Sequence, residues 1–182
     1  MSISKKPPIW VVVKTNPRAE LKVNQRLLDL GYTTFYPMQT VLKVWSDRKK
    51  KVKQALIPST LFVQTEAENI NDIYPTQGVS SILKFLGKPA VVKDVEIENL
   101  KILLNSEEQA SIETTERYTK GDLVKVCKGP FEGLTANILK HPTNFRLVIE
   151  IESLGSGFII NVPKSFIQTI KKPTHSVGIA AV

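Results

Sequence analysis

The stretch Leu56-Ile57-Pro58-Ser59-Thr60-Leu61-Phe62-Val63 joins two strand-like segments. Residues 52–57 alternate with the period of two that a half-buried strand shows, and residues 60–64 form a second, more continuously apolar run. Upstream, residues 40–45 alternate in the same way and are linked to 52–57 by Ser46-Asp47-Arg48-Lys49-Lys50-Lys51. This pattern predicts a hairpin with a strongly basic tip.

Further upstream, residues 9–13 are almost unbroken apolar sequence with Trp10 and three valines, which suits a central strand covered on both faces. A helix is expected next, with Pro17 in its first turn. Ala19, Val23, Leu27 and Leu30 form one apolar face that stops at Gly31. Arg18, Lys22 and Arg26 recur every fourth residue on the opposite side. Downstream, residues 68–74 read as a short helix and 79–85 as a strand. Residues 94–104 read as a closing helix with Asp94 as N-cap. Helices mixed with strands around one sheet predict an α+β unit, a small α/β sandwich on an antiparallel or mixed sheet.

Beyond residue 118 the helical period disappears. Residues 123–126, 136–139, 147–151 and 158–162 alternate with period two between Gly and Pro turns, which predicts a compact all-β barrel. Charge divides the chain similarly. Residues 1–104 hold 16 basic and 9 acidic groups (+7), 119–182 hold 8 and 4 (+4), and 105–118 hold 1 and 4 (−3). The expected organisation is a flexible 1–8, a first domain over 9–104, a polar linker over 105–118, a barrel over 119–171 and a flexible tail over 172–182.

The composition, 42% hydrophobic and 23% charged, is that of a soluble protein, and no apolar run approaches the roughly 20 residues a membrane helix needs. No signal region opens the chain, so a cytoplasmic location is expected. The net charge of +8 points to nucleic acid or an acidic partner. Cys127 is the single cysteine and reads as a buried strand residue. With His141 and His175 far from it in sequence, no metal-ligand spacing arises. Glu150 and Glu152 share a strand face without a His or cleft, and no phosphate-cradling loop or activated nucleophile is present, so neither an enzyme nor a cofactor is expected.

Gly121-Asp122-Leu123-Val124-Lys125-Val126 followed by Gly129-Pro130-Phe131-Glu132-Gly133 resembles the KOW motif, a strand and glycine turn with an aromatic over the barrel end. KOW barrels also occur in ribosomal proteins, which leaves an RNA-binding or ribosome-associated protein as an alternative. The earlier segments decide between these readings. Trp10-Val11-Val12-Val13, the helix with Glu20, Leu56 to Val63, and Gln77-Gly78-Val79-Ser80 through Val92 look like the N-terminal domain of the NusG family. The resemblance covers roughly residues 9 to 170. The wording is closer to specialised paralogues of the RfaH and UpxY antiterminator type than to housekeeping members. Ile57 and Thr60 stand where the family pattern has Phe and Tyr, which removes two aromatic anchors.

This resemblance implies a monomeric elongation or antitermination factor that docks on the clamp helices of RNA polymerase and suppresses pausing or termination. Docking a coiled coil needs an exposed apolar concavity, and by position its candidates are Ile57, Pro58, Thr60, Phe62, Phe85, Ile97 and Leu100. Phe62 and Phe85 read equally well as core. Lys14, Arg18, Lys22 and Arg26 are candidates for contact with non-template DNA, against the alternative of a solvated face. Arg48, Lys49, Lys50 and Lys51 are further DNA candidates at the hairpin tip. The KOW elements are Gly121, Val124, Val126, Gly129, Pro130, Phe131 and Gly133. Leu154, at a turn, is either an exposed anchor for a ribosomal small-subunit protein or the Rho terminator, or an ordinary hairpin residue. In RfaH this domain refolds as a helical hairpin. Here β-branched residues and glycines predict a stable barrel.

Overall fold

The computed structural model describes residues 7–44, 48–105, 113–115, 121–139, 145–151 and 154–170. Its first sheet is antiparallel and built around β1 (Ile9–Thr15). One side of β1 pairs with β5 (Thr60–Thr65), which in turn pairs with β2 (Thr33–Phe35). The other side pairs with β6 (Val79–Ile82) and β9 (Val91–Val92).

Alternation along β1 feeds two separate cores. Val11 and Val13 pack with Val23 and Leu27 of α1 (Glu20–Asp29), whereas Trp10 and Val12 join Phe62 and Ile97, Leu100 and Leu103 of α2 (Asp94–Asn105). Apolar side chains are needed on both faces, which is why residues 9–13 lack polar alternation. The α/β sandwich expected from sequence is the fold observed.

Several local expectations are corrected. Helix α1 starts at Glu20, so Pro17 and Arg18 lie in the preceding turn; Arg18 has φ 62°, which a right-handed helix cannot contain. Asp94 is the first residue of α2 and not the cap before it. The carboxylate of Glu96 reaches back to accept the backbone N–H of Lys93 at 3.0 Å, satisfying that donor from inside the helix. The helix expected over 68–74 shrinks to one 3-10 turn, Ile70–Ile73. The strand expected over 79–85 breaks after Ile82, and β7 (Lys84–Phe85) folds back on β8 (Lys88–Pro89) through Leu86 and Gly87, both at positive φ.

β3 (Met38–Val44) and β4 (Lys49–Ala55) pair only with each other, forming a ribbon outside the sheet. Lys49, Lys50 and Lys51 therefore belong to a strand, opposite Val44, Lys43 and Leu42, and not to the turn. Residues 45–47 of the expected tip lie outside the described residues.

The second sheet runs β10 (Glu113–Thr115), β14 (Ser156–Val162), β13 (Phe145–Ile151), β12 (Thr135–Leu139), β11 (Leu123–Val126) and β15 (Ile167–Thr169), antiparallel throughout. Val124, Val126, Leu147, Ile149, Phe158 and Ile160 fill its interior, as their alternation requires. The four barrel strands expected from sequence are present. Residues 113–115, read from composition as linker, instead pair with β14, an edge pairing that their polar sequence did not advertise. Cys127 is exposed just past β11, with Sγ 3.5 Å from Oε1 of Gln168, because the buried alternation ends at Val126.

Candidate functional site

The seven apolar docking candidates do not form one open concavity. Thr60 and Phe62 are fully buried in β5, where Phe62 stacks on Phe35 with ring centroids 6.0 Å apart. Ile97 and Leu100, at 1% and 0% exposure, are buried on α2, and Ile57 is half-buried. Pro58 is exposed, and Phe85 is 70% exposed at the short β7–β8 hairpin beside Leu86 at 87%. The burial has a specific origin: one apolar cluster runs from Trp10, Val12 and Phe62 through Ile97, Leu100 and Leu103 into the barrel interior.

α2 lies against β13 of the barrel. Between them Asn99, buried at 6% exposure, uses both ends of its carboxamide: Nδ2 donates to the carbonyl of Thr135 at 2.7 Å, and Oδ1 accepts the N–H of Thr135 at 3.0 Å. Sequence reasoning missed Asn99. The available signal was a polar residue within the wide apolar face of Ile97, Leu100 and Leu103, where an unpaired amide would cost about 1–3 kcal/mol.

The basic helix face expected from spacing is dispersed. Arg18 lies outside the helix, and Arg26 donates to the carbonyl of Gln77 at 2.6 Å. Lys14 is half-buried and donates from Nζ to Oγ1 of Thr60 at 2.9 Å; burial lowers its pKa below the ordinary 10.5. Lys22 remains exposed. The dense positive surface is the ribbon instead. Arg48, Lys49, Lys50 and Lys51 are all exposed there, at the end of a ribbon that pairs with neither larger sheet.

In the KOW segment, Val124, Val126 and Phe131 are buried and Pro130 is exposed. Two glycines are required by space. A Cβ on Gly121 would collide with the carbonyl oxygen of Ile138, and one on Gly129, at φ 85°, would lie 2.7 Å from the ring of Phe166. Gly133 also has positive φ. Leu154 is half-buried and packed on the core cluster, so it is not a projecting apolar tip. Among the described residues there is no grouping of His, Cys, Asp or Glu that would hold a metal, and no helix long and apolar enough to cross a membrane.

The sequence that builds these elements has relatives. A family model described as "Transcription termination factor nusG" matches residues 8–101, just over half of the chain. The chain belongs to the NusG family. The transcription termination/antitermination protein NusG of Rickettsia bellii is 23% identical over 175 residues, covering 89% of each chain. The NusG of Helicobacter pylori is 20% identical over 175 residues, covering 88% of this chain and 98% of its own. A structure of Thermotoga maritima NusG covers 90% of this chain and 98% of its own at 21% identity, with a TM-score of 0.49. As a NusG-family member the protein is a transcription factor and not an enzyme.

Proposed function

We propose that this chain is an elongation factor of the specialised antiterminator kind. In this reading the first sheet and α2 dock on RNA polymerase, and docking suppresses pausing or termination. The barrel is left to recruit a second partner, such as a ribosomal small-subunit protein or Rho. The carrying observation is the apolar continuity of Phe62, Ile97, Leu100 and Leu103 with the barrel. A helix whose Ile- and Leu-rich surroundings are covered by another unit of the same chain is adhesive once uncovered, and suits the apolar stripe of a helical projection. Pro58 and the exposed Phe85 provide its accessible margin. The basic ribbon adds long-range attraction to the DNA that the polymerase carries.

Capture of the full chain by core RNA polymerase tests this reading. Phe85→Asp places a charge on an exposed side chain, so the fold should survive while binding falls at least about tenfold, or about 1.4 kcal/mol. Undiminished capture of both Phe85→Asp and Ile57→Asp overturns the reading. Affinity for RNA that is independent of polymerase would favour a ribosome-associated barrel protein.

A further inference from the structure

A cation without a counter-charge sits at the end of the first sheet. Val12 and Lys14 lie two residues apart on β1 and so share a face, the one turned away from Val11, Val13 and helix α1. Lys14 pairs with Thr60 of β5 on one side and with Ser81 of β6 on the other. Its Nζ donates to Oγ1 of Thr60 at 2.9 Å, and that hydroxyl donates to the carbonyl of Pro58 at 2.9 Å. The ammonium is therefore held at a fixed point, half-buried, between a buried threonine and an exposed serine. An ammonium has three N–H donors. Among the described residues, no carboxylate lies within ion-pair distance of it.

We infer that Lys14 receives a carboxylate from the protein that docks on this face, so that the partner is selected by a negative charge set beside its apolar stripe. The inference rests on the polymerase-docking reading above and gives that partner a chemical requirement. Burial lowers the pKa of Lys14, with no neighbouring negative charge to offset it. Covering the face strips further water from the ammonium, which is costly unless an opposite charge arrives with the partner. A partner offering only apolar side chains here is thereby rejected. Lys14 stands about 7 Å along the strand from Val12, so the carboxylate belongs roughly one turn beyond the apolar stripe of a docked helix. A DNA phosphate is the poorer match. DNA presents a line of charges and suits exposed cations in series, as on the ribbon, whereas Lys14 is a single half-buried cation on the face away from α1.

Binding of the full chain to core RNA polymerase free of nucleic acid tests the pair. Lys14→Met keeps the apolar stem and leaves Thr60 bonded to the Pro58 carbonyl, so it should fold, and a thermal melt checks that it does. It is expected to weaken binding at least about tenfold, because it strands the partner's carboxylate without a counter-charge. Lys14→Glu sets like charges together and should weaken binding by at least about tenfold more. A water-soluble carbodiimide, which joins an amine to a carboxylate in contact with it, should link Lys14 of the unmodified chain to an Asp or Glu of polymerase. Binding of the unmodified chain with no loss in Lys14→Met overturns the inference and leaves the docking reading standing. So does equal binding by the Met and Glu variants, or the absence of any link from Lys14 to polymerase. A loss that arises only when DNA is present assigns Lys14 to a phosphate and overturns the inference as well. If the unmodified chain does not bind polymerase at all, the docking reading fails and the inference fails with it.

Discussion

The side chain of Glu20, in the first turn of α1, accepts the backbone N–H of Ser59 at 2.9 Å across 39 residues of sequence. Ser59 has φ 52°, a conformation that a non-glycine residue holds only when its surroundings insist, and Glu20 is itself buried at 9% exposure. This bond pins the bend before β5 to the helix and so sets where Thr60 and Phe62 enter the sheet. Glu20→Ala should cost about 1–3 kcal/mol by leaving a partly buried N–H unpaired. Glu20→Gln keeps an acceptor and should cost less. Urea denaturation of the two variants gives the comparison, and equal losses would mean that the bond is not the source.

Lys14 gives a pH signature. Burial lowers its folded-state pKa below 10.5, so folding carries a penalty while the ammonium is charged. That penalty is relieved as pH rises through the folded pKa and is gone above 10.5, since the unfolded chain then binds no extra proton. Lys14→Met removes the charge but also the bond to Thr60. The stability of the variant relative to the unmodified chain should therefore decline as pH is raised through the folded-state pKa toward 10.5. Melting both proteins across that range checks the slope, and a difference that does not change with pH would exclude burial as its cause.

Gly121 and Gly129 should each resist substitution. Gly121→Ala pushes a methyl into the Ile138 carbonyl, and Gly129→Ala forces both positive φ and a clash with Phe166. Each should cost the barrel about 1–3 kcal/mol. Amide exchange should locate the loss in β11, β12 and β15, with β1 and β5 less affected.

The ribbon lysines should matter for association and not for folding. Replacing Lys49, Lys50 and Lys51 with Ala should leave stability within about 0.5 kcal/mol, because all three are exposed. It should also flatten the salt dependence of DNA binding, by up to about 0.9 in log–log slope for each phosphate that the ribbon no longer neutralises. Titrations at several salt concentrations provide the test. An unchanged slope would remove the ribbon from the DNA-facing surface.

Patterns set by local period were legible in the sequence. The double-faced run of β1, the buried Val23 and Leu27 of α1 and the four alternating barrel strands all follow from side-chain spacing, which backbone geometry fixes, whereas Leu30, expected on the same face, is 64% exposed. What was not legible depends on partners distant in the chain. Nothing local to Glu113–Thr115 announces that β14 has an open edge, and nothing local to Arg26 announces the Gln77 carbonyl. Spacing placed Arg18, Lys22 and Arg26 on one face, yet a single left-handed residue took the first of them out of the helix. Burial of Ile97 and Leu100 was likewise hidden. An apolar helix face reads the same from sequence whether solvent, a partner or the chain's own barrel lies beside it.

The central place of β1 has a consequence for synthesis. β1 pairs with residues as late as Val91 and Val92. At about 5–20 residues per second, some 4–15 seconds separate the making of this strand from the making of its last neighbour. Throughout that interval Trp10 and the valines beside it are a nascent, sticky ribbon end, and protecting them falls to the tunnel and to chaperones before it falls to the fold.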